Sequence, residues 1–370
     1  MKKVLYILGG LDRGGAESYI MNTLRNIDRK KYSFVIATFM QPSDGKKFAY
    51  EDELKEMGVK IVSLRDTRAS KPWDFAKQIE DLVREENIDI VHSHIDFNSA
   101  ITLPGGKRGG AKKLIAHCHS TNNEKLKSLK VRLVAKIMRK RLNKYADARI
   151  ACGEEAGKFL FGRKPFTVIS SGIDLNLFKY NEQYRKELRE KYKIKNNETV
   201  WLTVGRIEEV KNQGFLMSLL ANYRDQCPNI HLFIIGNGSL TESYKERIKQ
   251  LKLTKQVHLL PARADIYKYY SMADVFMLPS LFEGIPTVGI EAQANGMKCI
   301  FSKNVPVQTK LLDTSAFIAL DKPQDWINAA KNIIPASERK KSIKVPAVQE
   351  FDIKKLVKKL EAIYDAEWIC

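Results

Sequence analysis

The sequence predicts an α/β protein made of two Rossmann-like domains, each a parallel sheet covered by helices on both faces. Short apolar strands alternate with helical stretches, which is typical of parallel sheets. The alternation begins again after a polar segment at 170–197, and 370 residues exceed what one ordinary core accommodates. Two facing sheets of this kind would place a ligand site in the cleft between the domains, at the carboxyl ends of the strands.

We predict a domain boundary near Phe178, so that the domains span 1–177 and 178–351. Apolar runs of three to five residues predict the strands, and longer amphipathic stretches predict the helices. The predicted strands are Val4–Leu8, Phe34–Thr38, Lys60–Ser63, Ile90–Ser93, Leu114–His117, Ala148–Ala151, Thr167–Ile169, Val200–Val204, His231–Ile235, Val257–Leu260, Val275–Leu278, Lys298–Phe301 and Ala316–Ala319. The predicted helices are Glu17–Ile27, Phe48–Met57, Pro72–Glu86, Phe215–Tyr223, Leu240–Leu251, Asp265–Met272, Gln324–Ile333 and a last one within 352–370, which we expect to pack back on the first domain.

Composition excludes several classes of protein. The hydrophobic fraction of 44% is that of a globular protein, and no apolar run approaches the ~20 residues of a membrane helix. The amino-terminal MKKVLYILGG is too short for a signal peptide and runs into a glycine turn, so it predicts a first buried strand. Five scattered cysteines without a C-x-x-C pair argue against a disulfide framework or a zinc site and favour a reducing compartment.

The net charge of +20 is densest between Lys125 and Lys144, where nine Lys or Arg residues occur without an acid. Leucine, valine and isoleucine alternate with them at helical spacing, so the stretch predicts an amphipathic helix that can lie on an anionic membrane. The alternative is a solvated helix packed on its own domain. We expect no nucleic acid, because the sequence has no helix-turn-helix, zinc finger or RNP-like strand. The basic residues expected at the membrane are Lys130, Arg132, Lys136, Arg139 and Lys140.

A glycine-rich turn at Gly9–Ser18 follows the first predicted strand and opens a helix. Gly14 and Gly15 would allow the backbone to approach a phosphate or a sugar closely. The spacing is not the G-x-G-x-x-G of a dinucleotide site. No acidic residue ends the second strand to bind a ribose, which argues against a nicotinamide enzyme.

The corresponding turn of the second domain is Val204–Gly214, where Arg206 and Lys211 converge on the end of a predicted strand. Two cations there would neutralise a leaving diphosphate by electrostatic stabilisation of the departing charge. The alternative is an exposed loop with ordinary charges. The sequence has no Asp-x-Asp motif to hold a divalent ion, so we expect that no metal takes part.

Two carboxylates, Glu283 and Glu291, stand eight positions apart around a Gly-Ile-Pro turn. Pro286 favours the first position of a helix, and Gly296 favours the residue just past its end. A helix that begins here would offer N–H groups to an anion. One carboxylate could hold a sugar hydroxyl and the other a ribose, with a diphosphate between them; the alternative is a helix whose acids merely favour its amino-terminal half.

Four histidines, His92, His94, His117 and His119, end two strands of the first domain and are expected to line one edge of the cleft. No carboxylate or cysteine completes a zinc set, so we predict no metal. His119 is the candidate for a sugar or phosphate contact, and a hydrogen-bonding role in the core is the alternative. In the second domain, candidates for ribose and base contacts are Gly236, Gly238 and Arg263.

These residues together resemble glycosyltransferase family 4, the nucleotide-sugar transferases of the GT-B fold. The resemblance covers nearly the whole chain. Pro261 and Val307 depart from the family pattern, in which a glycine and an acidic residue are common. The matching motifs are Gly14-Gly15-x-Glu17, His119, SSGID at Ser170–Asp174, Arg206 with Lys211, Gly236-x-Gly238, and Glu283 with Glu291.

The resemblance implies a retaining transfer from a nucleotide-diphosphate sugar, with a UDP-sugar as the expected donor. It places the diphosphate on Arg206, Lys211 and the backbone of Gly284–Ile285, a sugar hydroxyl on Glu283 and the ribose on Glu291. The first domain would bind the acceptor, a lipid-linked glycan of bacterial capsule or exopolysaccharide, at the cytoplasmic face of the membrane.

Two other functions remain open at this point. A nucleotide-sugar epimerase on the same fold would need a proton-abstracting pair in the cleft, where few carboxylates besides Glu283 and Glu291 are available. A non-catalytic sugar- or membrane-binding module would tolerate the loss of Arg206, Lys211 and Glu283, which are all present.

Overall fold

The computed structural model describes residues 1–11, 15–40, 47–64, 72–119 and 128–367. Two compact units divide the chain: residues 1–172 with the carboxyl-terminal segment from Ile353, and residues 173–352. The change of unit after Gly172 comes slightly before the boundary that the sequence predicts near Phe178. The predicted cleft between the domains stays a prediction.

The first unit is a parallel sheet whose described strands are β1 (Lys2–Leu8), β2 (Tyr32–Thr38), β3 (Lys60–Ser63), β4 (Ile90–Ser93), β5 (Lys113–Cys118), β6 (Ala148–Ala151) and β7 (Thr167–Val168). Their spatial order is β3-β2-β1-β4-β5-β6-β7. Alternate residues of β1 enter two separate cores, with Tyr6 on one face and Leu5 and Ile7 on the other. The helices that cover these faces are α1 (Gly15–Asn26), α2 (Glu51–Glu56), α3 (Pro72–Glu85), α4 (Ser99–Gly109), α5 (Leu129–Tyr145) and α6 (Glu154–Phe161).

The second unit repeats this arrangement. Its described strands are β8 (Thr199–Val204), β9 (Ile230–Ile235), β10 (Val257–Leu260), β11 (Val275–Leu278), β12 (Lys298–Ser302) and β13 (Ala316–Ile318), in the spatial order β10-β9-β8-β11-β12-β13. The helices are α7 (Leu175–Phe178), α8 (Glu182–Lys191), α9 (Gly214–Asn222), α10 (Thr241–Gln250), α11 (Ile266–Met272), α12 (Thr287–Ala294), α13 (Pro323–Ala330), α14 (Ala336–Arg339) and α15 (Pro346–Gln349). None of the described helices combines the length and the apolar character that a membrane crossing requires.

Strand order locates the place where each sheet can bind a ligand. The winding reverses between β1 and β4 in the first unit and between β8 and β11 in the second. The loops after those strands diverge at such a reversal and leave a crevice at the carboxyl ends. The glycine-rich turn, the loop of Arg206 and Lys211 and the loop of Glu283 all follow one of these strands.

The last helix, α16 (Ile353–Asp365), belongs to the first unit. Lys113 on β5 is buried and donates hydrogen bonds to the carbonyls of Ile363 (2.8 Å), Tyr364 (3.0 Å) and Ala366 (2.5 Å). These carbonyls lie at the helix end, where no further turn supplies donors and a cation is favoured. Lys113 therefore fastens the end of α16 to the sheet, together with Lys2 on β1, whose Nζ donates to the carbonyl of Tyr364 at 3.1 Å.

Replacing Lys113 by Met should loosen α16 without disturbing the second unit. The change removes one donor from each of three carbonyls, and the carbonyl of Tyr364 keeps a second donor, Lys2 Nζ at 3.1 Å. Leaving a buried group unsatisfied costs about 1–3 kcal/mol. Amide hydrogen exchange in α16 should accelerate by at least about tenfold, as such an energy implies. Lys112→Met is the matched control, because Lys112 is exposed and pairs with Asp89 rather than with α16. Unchanged exchange in α16 of Lys113→Met would contradict this assignment.

Candidate functional site

In the second unit, the loops after β8 and β11 are joined to each other at the reversal of strand order. The backbone N–H of Leu281 donates to the carbonyl of Val210 at 2.8 Å. The Asn212 side-chain amide donates to the carbonyl of Pro279 at 3.1 Å, from a residue in the left-handed conformation. These two bonds hold the ends of the neighbouring strands at a fixed separation.

Lys211 and Glu283 form an ion pair across this junction. The Lys211 Nζ lies 2.6 Å from Glu283 Oε1, and the side chains are only 17% and 9% exposed. Ser280 Oγ donates to the same carboxylate oxygen at 2.7 Å. Both bonds end on Oε1. Within the part of the chain that the structure describes, Oε2 of Glu283 is therefore the oxygen left for a ligand. The sequence placed both residues in one site but gave no sign that they pair.

Arg206 extends outward from the same loop. Its side chain is exposed, and its carbonyl accepts a hydrogen bond from the Gln213 side chain at 2.9 Å. The stem of Lys211 passes the neighbouring Gly205, where an added Cβ would lie 3.8 Å from Lys211 Cε. The structure thus brings the loop of both predicted cations to the end of β8.

Helix α12 begins at Thr287, one residue later than the sequence predicts, because Pro286 has an extended ψ of 115° and caps the helix from outside. The first N–H groups of the helix have no intrahelical acceptor, so they can bind an anion. A Cβ added to Gly284 would meet nothing within 4 Å, which leaves open space beside the helix start. Gly296 lies just past the end of the helix, as predicted, and has the left-handed conformation (φ 74°).

Glu291 lies in the second turn of α12 beside a buried tyrosine. Tyr270 Oη donates to Glu291 Oε2 at 2.7 Å. Burial raises the pKa of the Glu291 carboxyl to about 7, although the hydrogen bond from Tyr270 acts in the opposite direction. A carboxyl in this state is poised to ionise when donors from a ligand reach it.

Gly236 and Gly238 are required by packing between loops. A Cβ on Gly236 would lie 1.9 Å from the carbonyl oxygen of Gly205, and one on Gly238 would lie 2.1 Å from that of Ile207. The loop after β9 therefore rests directly on the loop that carries Arg206. These contacts account for both glycines without a ligand, so a nucleotide contact there stays a prediction.

Arg263 follows β10 and is engaged locally. It donates two hydrogen bonds to Asp265, at 2.7 and 3.0 Å, and its guanidinium lies 5.1 Å from the ring centre of Tyr269. This ion pair raises the pKa of Arg263 above its ordinary value. The guanidinium of Arg263 is thus paired with Asp265 and covered on one face by Tyr269. The predicted contact with the base would have to use its other face.

In the first unit, Gly15 is the first residue of α1, and an added Cβ there would meet nothing within 4 Å. Gly14 lies outside the described residues. His119 directly follows β5 and is partly exposed, and its backbone N–H donates to Asp96 at 3.2 Å. Both remain able to reach a ligand at the carboxyl edge of this sheet.

The prediction that four histidines line an edge of the cleft is wrong for His92 and His117. Both are fully buried in the sheet, and His94 is only 7% exposed. Since residues two apart on a strand point to the same face, all four rings project under α1, where Tyr19 packs against His117. Of the four, His119 is the one with substantial exposed surface.

The four rings form two hydrogen-bonded pairs. His92 Nε2 lies 3.2 Å from His117 Nδ1, and His94 Nδ1 lies 2.8 Å from His119 Nε2. His92 also contacts Tyr364 Oη at 2.8 Å, which connects the array to α16. Burial lowers the pKa of His92, His94 and His117 well below the ordinary value. It lowers the pKa of His119 to about 4, so all four rings are neutral at pH 7.

Three of the four histidines, all buried, are spaced as metal ligands can be. Nitrogens of His92, His94 and His117 lie within 4.8 Å of one another, a spacing that imidazole ligands could share. In the structure, His92 Nε2 and His117 Nδ1 lie 3.2 Å apart as a hydrogen-bonded pair, so one of these nitrogens carries the proton that the other accepts. The absence of a metal at these histidines stays a prediction.

Helix α5 exposes apolar and basic side chains together. Its inner face packs through Ala135 and Leu142, which are buried. Of the predicted membrane residues, Lys130, Arg132, Lys136 and Lys140 are exposed. Arg139 differs, because it donates to the carbonyls of Leu160 and Phe159 at 3.1 and 2.7 Å. The large exposed apolar side chains of the helix are Val131, Leu133, Val134 and Ile137, at 41%, 60%, 57% and 59% exposure.

Sequence comparisons match both halves of the chain to glycosyltransferases. The model of Glycosyltransferase Family 4 matches residues 13–177, and the model of glycosyl transferases group 1 matches residues 184–344. EpsF of Bacillus subtilis, which is named as a glycosyltransferase, is 32% identical over 82% of this chain and 80% of its own length. The capsular polysaccharide biosynthesis glycosyltransferase CapH of Staphylococcus aureus is 27% identical over 98% of this chain and 99% of its own length.

A third relative is an α-1,3-galactosyltransferase of Escherichia coli named for UDP-Gal and a GlcNAc-diphosphoundecaprenol acceptor, 28% identical over 76% of each chain. The crystal structure of HepE from Anabaena with UDP matches the fold with a TM-score of 0.77, at 18% identity, over 98% of this chain and 99% of that one. A complex of HepE with UDP-glucose matches similarly, with a TM-score of 0.76. The chain belongs to the GT-B glycosyltransferases of the family 4 and group 1 type.

The stability of the protein should depend on the protonation of Glu291. Its pKa is about 7 in the fold against 4.5 unfolded, so its stabilising contribution is present below pH 4.5 and is lost as pH rises through 7. A pKa shift of this size corresponds to a total change of about 3 kcal/mol in the free energy of unfolding, from a pH well below 4.5 to a pH well above 7. The free energy of unfolding of the wild type, minus that of Glu291→Gln, should therefore fall by about 2–3 kcal/mol between pH 5 and 8.5, as measured by urea denaturation. A difference that stays constant with pH would refute the raised pKa.

Proposed function

We propose that this chain is a retaining glycosyltransferase that moves a sugar from a UDP-sugar to a lipid-linked or polysaccharide acceptor in capsule or exopolysaccharide biosynthesis. The observation that carries the proposal is the junction of Lys211 and Glu283. It sets a cation and a carboxylate at the ends of two neighbouring strands, beside the start of α12. The names of CapH and the E. coli galactosyltransferase, and the UDP-glucose complex of HepE, support the donor and the pathway.

The donor diphosphate would bind Arg206, Lys211 and the N–H groups near Gly284 and Ile285. The open space at Gly284 supports this placement, since a phosphate can approach the main chain there. The free oxygen of Glu283 would accept a hydroxyl of the donor sugar. Because Ser280 and Lys211 both bind the other oxygen, the carboxylate is already oriented before the sugar arrives.

The remaining substrate contacts come from three further places. Glu291 would hold the ribose with the oxygen that Tyr270 leaves free. Gly236, Gly238 and Arg263 follow β9 and β10 and would lie beside the ribose and base. In the first unit, Gly15 and His119 would contact substrate at the carboxyl edge of that unit's own sheet.

The reaction would proceed by front-face displacement. As the bond between the anomeric carbon and the phosphate oxygen breaks, negative charge gathers on the diphosphate, where Arg206, Lys211 and the helix N–H groups stabilise it. The acceptor oxygen bonds to the same face of the carbon, and its proton passes to the departing phosphate oxygen. These fixed charges would neutralise the leaving diphosphate, which is the role of a bound divalent ion in metal-dependent enzymes. We therefore propose transfer without a metal.

The exposed face of α5 would hold the enzyme on the cytoplasmic face of the membrane, where a lipid-linked acceptor is present. Leu133 and Ile137 project from the side opposite to the buried Ala135. Lysines flank them, so apolar insertion and attraction to anionic lipid act on one surface.

Transfer should depend on Lys211 and be independent of added metal. With a panel of nucleotide sugars and membrane extract as acceptor, nucleotide release by the wild type should persist in EDTA. Lys211→Ala should lose about 10²–10³-fold in kcat, the usual loss for one donor to a developing anion. Lys255→Ala is the control, because this exposed lysine precedes β10 and so lies at the opposite edge of the sheet. Full activity of Lys211→Ala would overturn the proposed site.

Membrane association should depend on the apolar residues of α5. In vesicle flotation, the wild type should bind phosphatidylglycerol vesicles and not phosphatidylcholine vesicles, and binding should weaken with salt. Leu133→Ser with Ile137→Ser should reduce binding at least about tenfold, since two large apolar groups no longer insert. Ile333→Ser, an exposed apolar residue of the second unit, is the control. Equal binding of all three proteins would exclude α5 as the docking surface.

A further inference from the structure

We infer that Tyr270 is a positioning residue of the donor site, which aims the Glu291 carboxylate so that the enzyme selects nucleotides with an intact ribose. The inference rests on the proposed function, in which Glu291 holds the ribose. It adds a residue from α11 that neither the sequence motifs nor the names of the relatives assign to the site.

The contact between the two residues fixes the carboxylate. Tyr270 Oη donates to Glu291 Oε2 at 2.7 Å, a short bond of the kind that hydroxyls make to ionised carboxylates. The bond engages one oxygen and sets the plane of the group. The second oxygen is then presented in one direction, which is what recognition of a hydroxyl requires.

The backbone and the ring of Tyr270 are themselves held in place. It has no exposed surface, and its carbonyl accepts a hydrogen bond from the Arg339 guanidinium at 2.9 Å. The same guanidinium donates to the carbonyl of Ala273 at 2.8 Å, so it fastens the end of α11. The Tyr270 ring packs edge-on against Phe178, with centroids 5.7 Å apart and planes 68° apart. The hydroxyl therefore has a fixed position, and aiming Glu291 costs little further entropy when a ligand binds.

The hydroxyl also has a second acceptor within reach, the carbonyl of Val288 at 3.3 Å. Main-chain contact alone could satisfy this buried hydroxyl, so the shorter bond to Glu291 is not needed merely to avoid an unpaired group. A tyrosine that only stabilised the fold would affect all nucleotides equally. A positioning tyrosine would affect those that offer ribose hydroxyls to Glu291.

The test compares ribonucleotides with their deoxy analogues. Dissociation constants of UDP, ADP and GDP, and of their 2′-deoxy and 3′-deoxy forms, would be measured by calorimetry on the intact chain. The wild type should prefer the ribose form of its best nucleotide by about 10–100-fold, as expected for hydrogen bonds to a charged group. Tyr270→Phe should weaken binding of that ribonucleotide about 5–30-fold and binding of its deoxy analogues less than about twofold.

Three further variants make the result specific. Tyr180→Phe removes another hydrogen bond between a tyrosine and a glutamate, that of Tyr180 to Glu182 at 2.8 Å, and should leave the preference unchanged. Glu291→Gln should lose the preference, and adding Tyr270→Phe to it should change the preference no further. Thermal unfolding of each variant checks that the fold is intact.

The outcomes distinguish failure of the Tyr270 positioning role from failure of the proposed ribose site at Glu291. If Glu291→Gln loses the preference and Tyr270→Phe keeps it, or if Tyr270→Phe weakens ribose and deoxy forms equally, the positioning role is overturned while the donor site stands. If the wild type binds none of the nucleotides, or if Glu291→Gln keeps the preference, the ribose site itself fails, and the inference fails with it.

Discussion

The ion pair between Lys211 and Glu283 is the interaction on which the candidate site of the second unit depends. It joins loops from β8 and β11 that are 72 positions apart in the chain, at the one place in the sheet where neighbouring loops turn in opposite directions. Removing one partner would leave a largely buried charge without compensation, which is far more costly than losing a surface pair. The pair therefore fixes where a cation and a carboxylate can meet a ligand.

The contacts around this pair show how a parallel sheet builds a site from short loops. The loop after β9 rests on the loop after β8 at Gly236 and Gly238, which have no room for a side chain. Ser302 on β12 donates to the carbonyl of Ser280 and so supports the loop that carries Glu283. Each strand end braces its neighbour, and preorganisation of this kind is what electrostatic stabilisation of a leaving group requires.

The sequence predicted most of the fold and singled out the residues that the structure brings to the ends of β8 and β11, because those signals are local. Alternating apolar runs, glycine turns after strands and the spacing of Glu283 and Glu291 depend on neighbouring residues. Partners that come together only in the folded chain could not be predicted. The pairing of Lys211 with Glu283, the Tyr270 contact and the use of Arg139 to bind carbonyls of α6 all join separate elements. The prediction that His92 and His117 line an edge of the cleft was wrong because a strand end covered by a helix has the same sequence pattern as an uncovered one.

The decisive measurement is a structure of the chain with a nucleoside diphosphate bound. We expect the phosphates to lie within hydrogen-bond distance of Lys211 Nζ and of the first N–H groups of α12, with Glu283 still held by Ser280. Phosphates bound elsewhere, with Lys211 and Glu283 still closed on each other and unreached by the ligand, would contradict it.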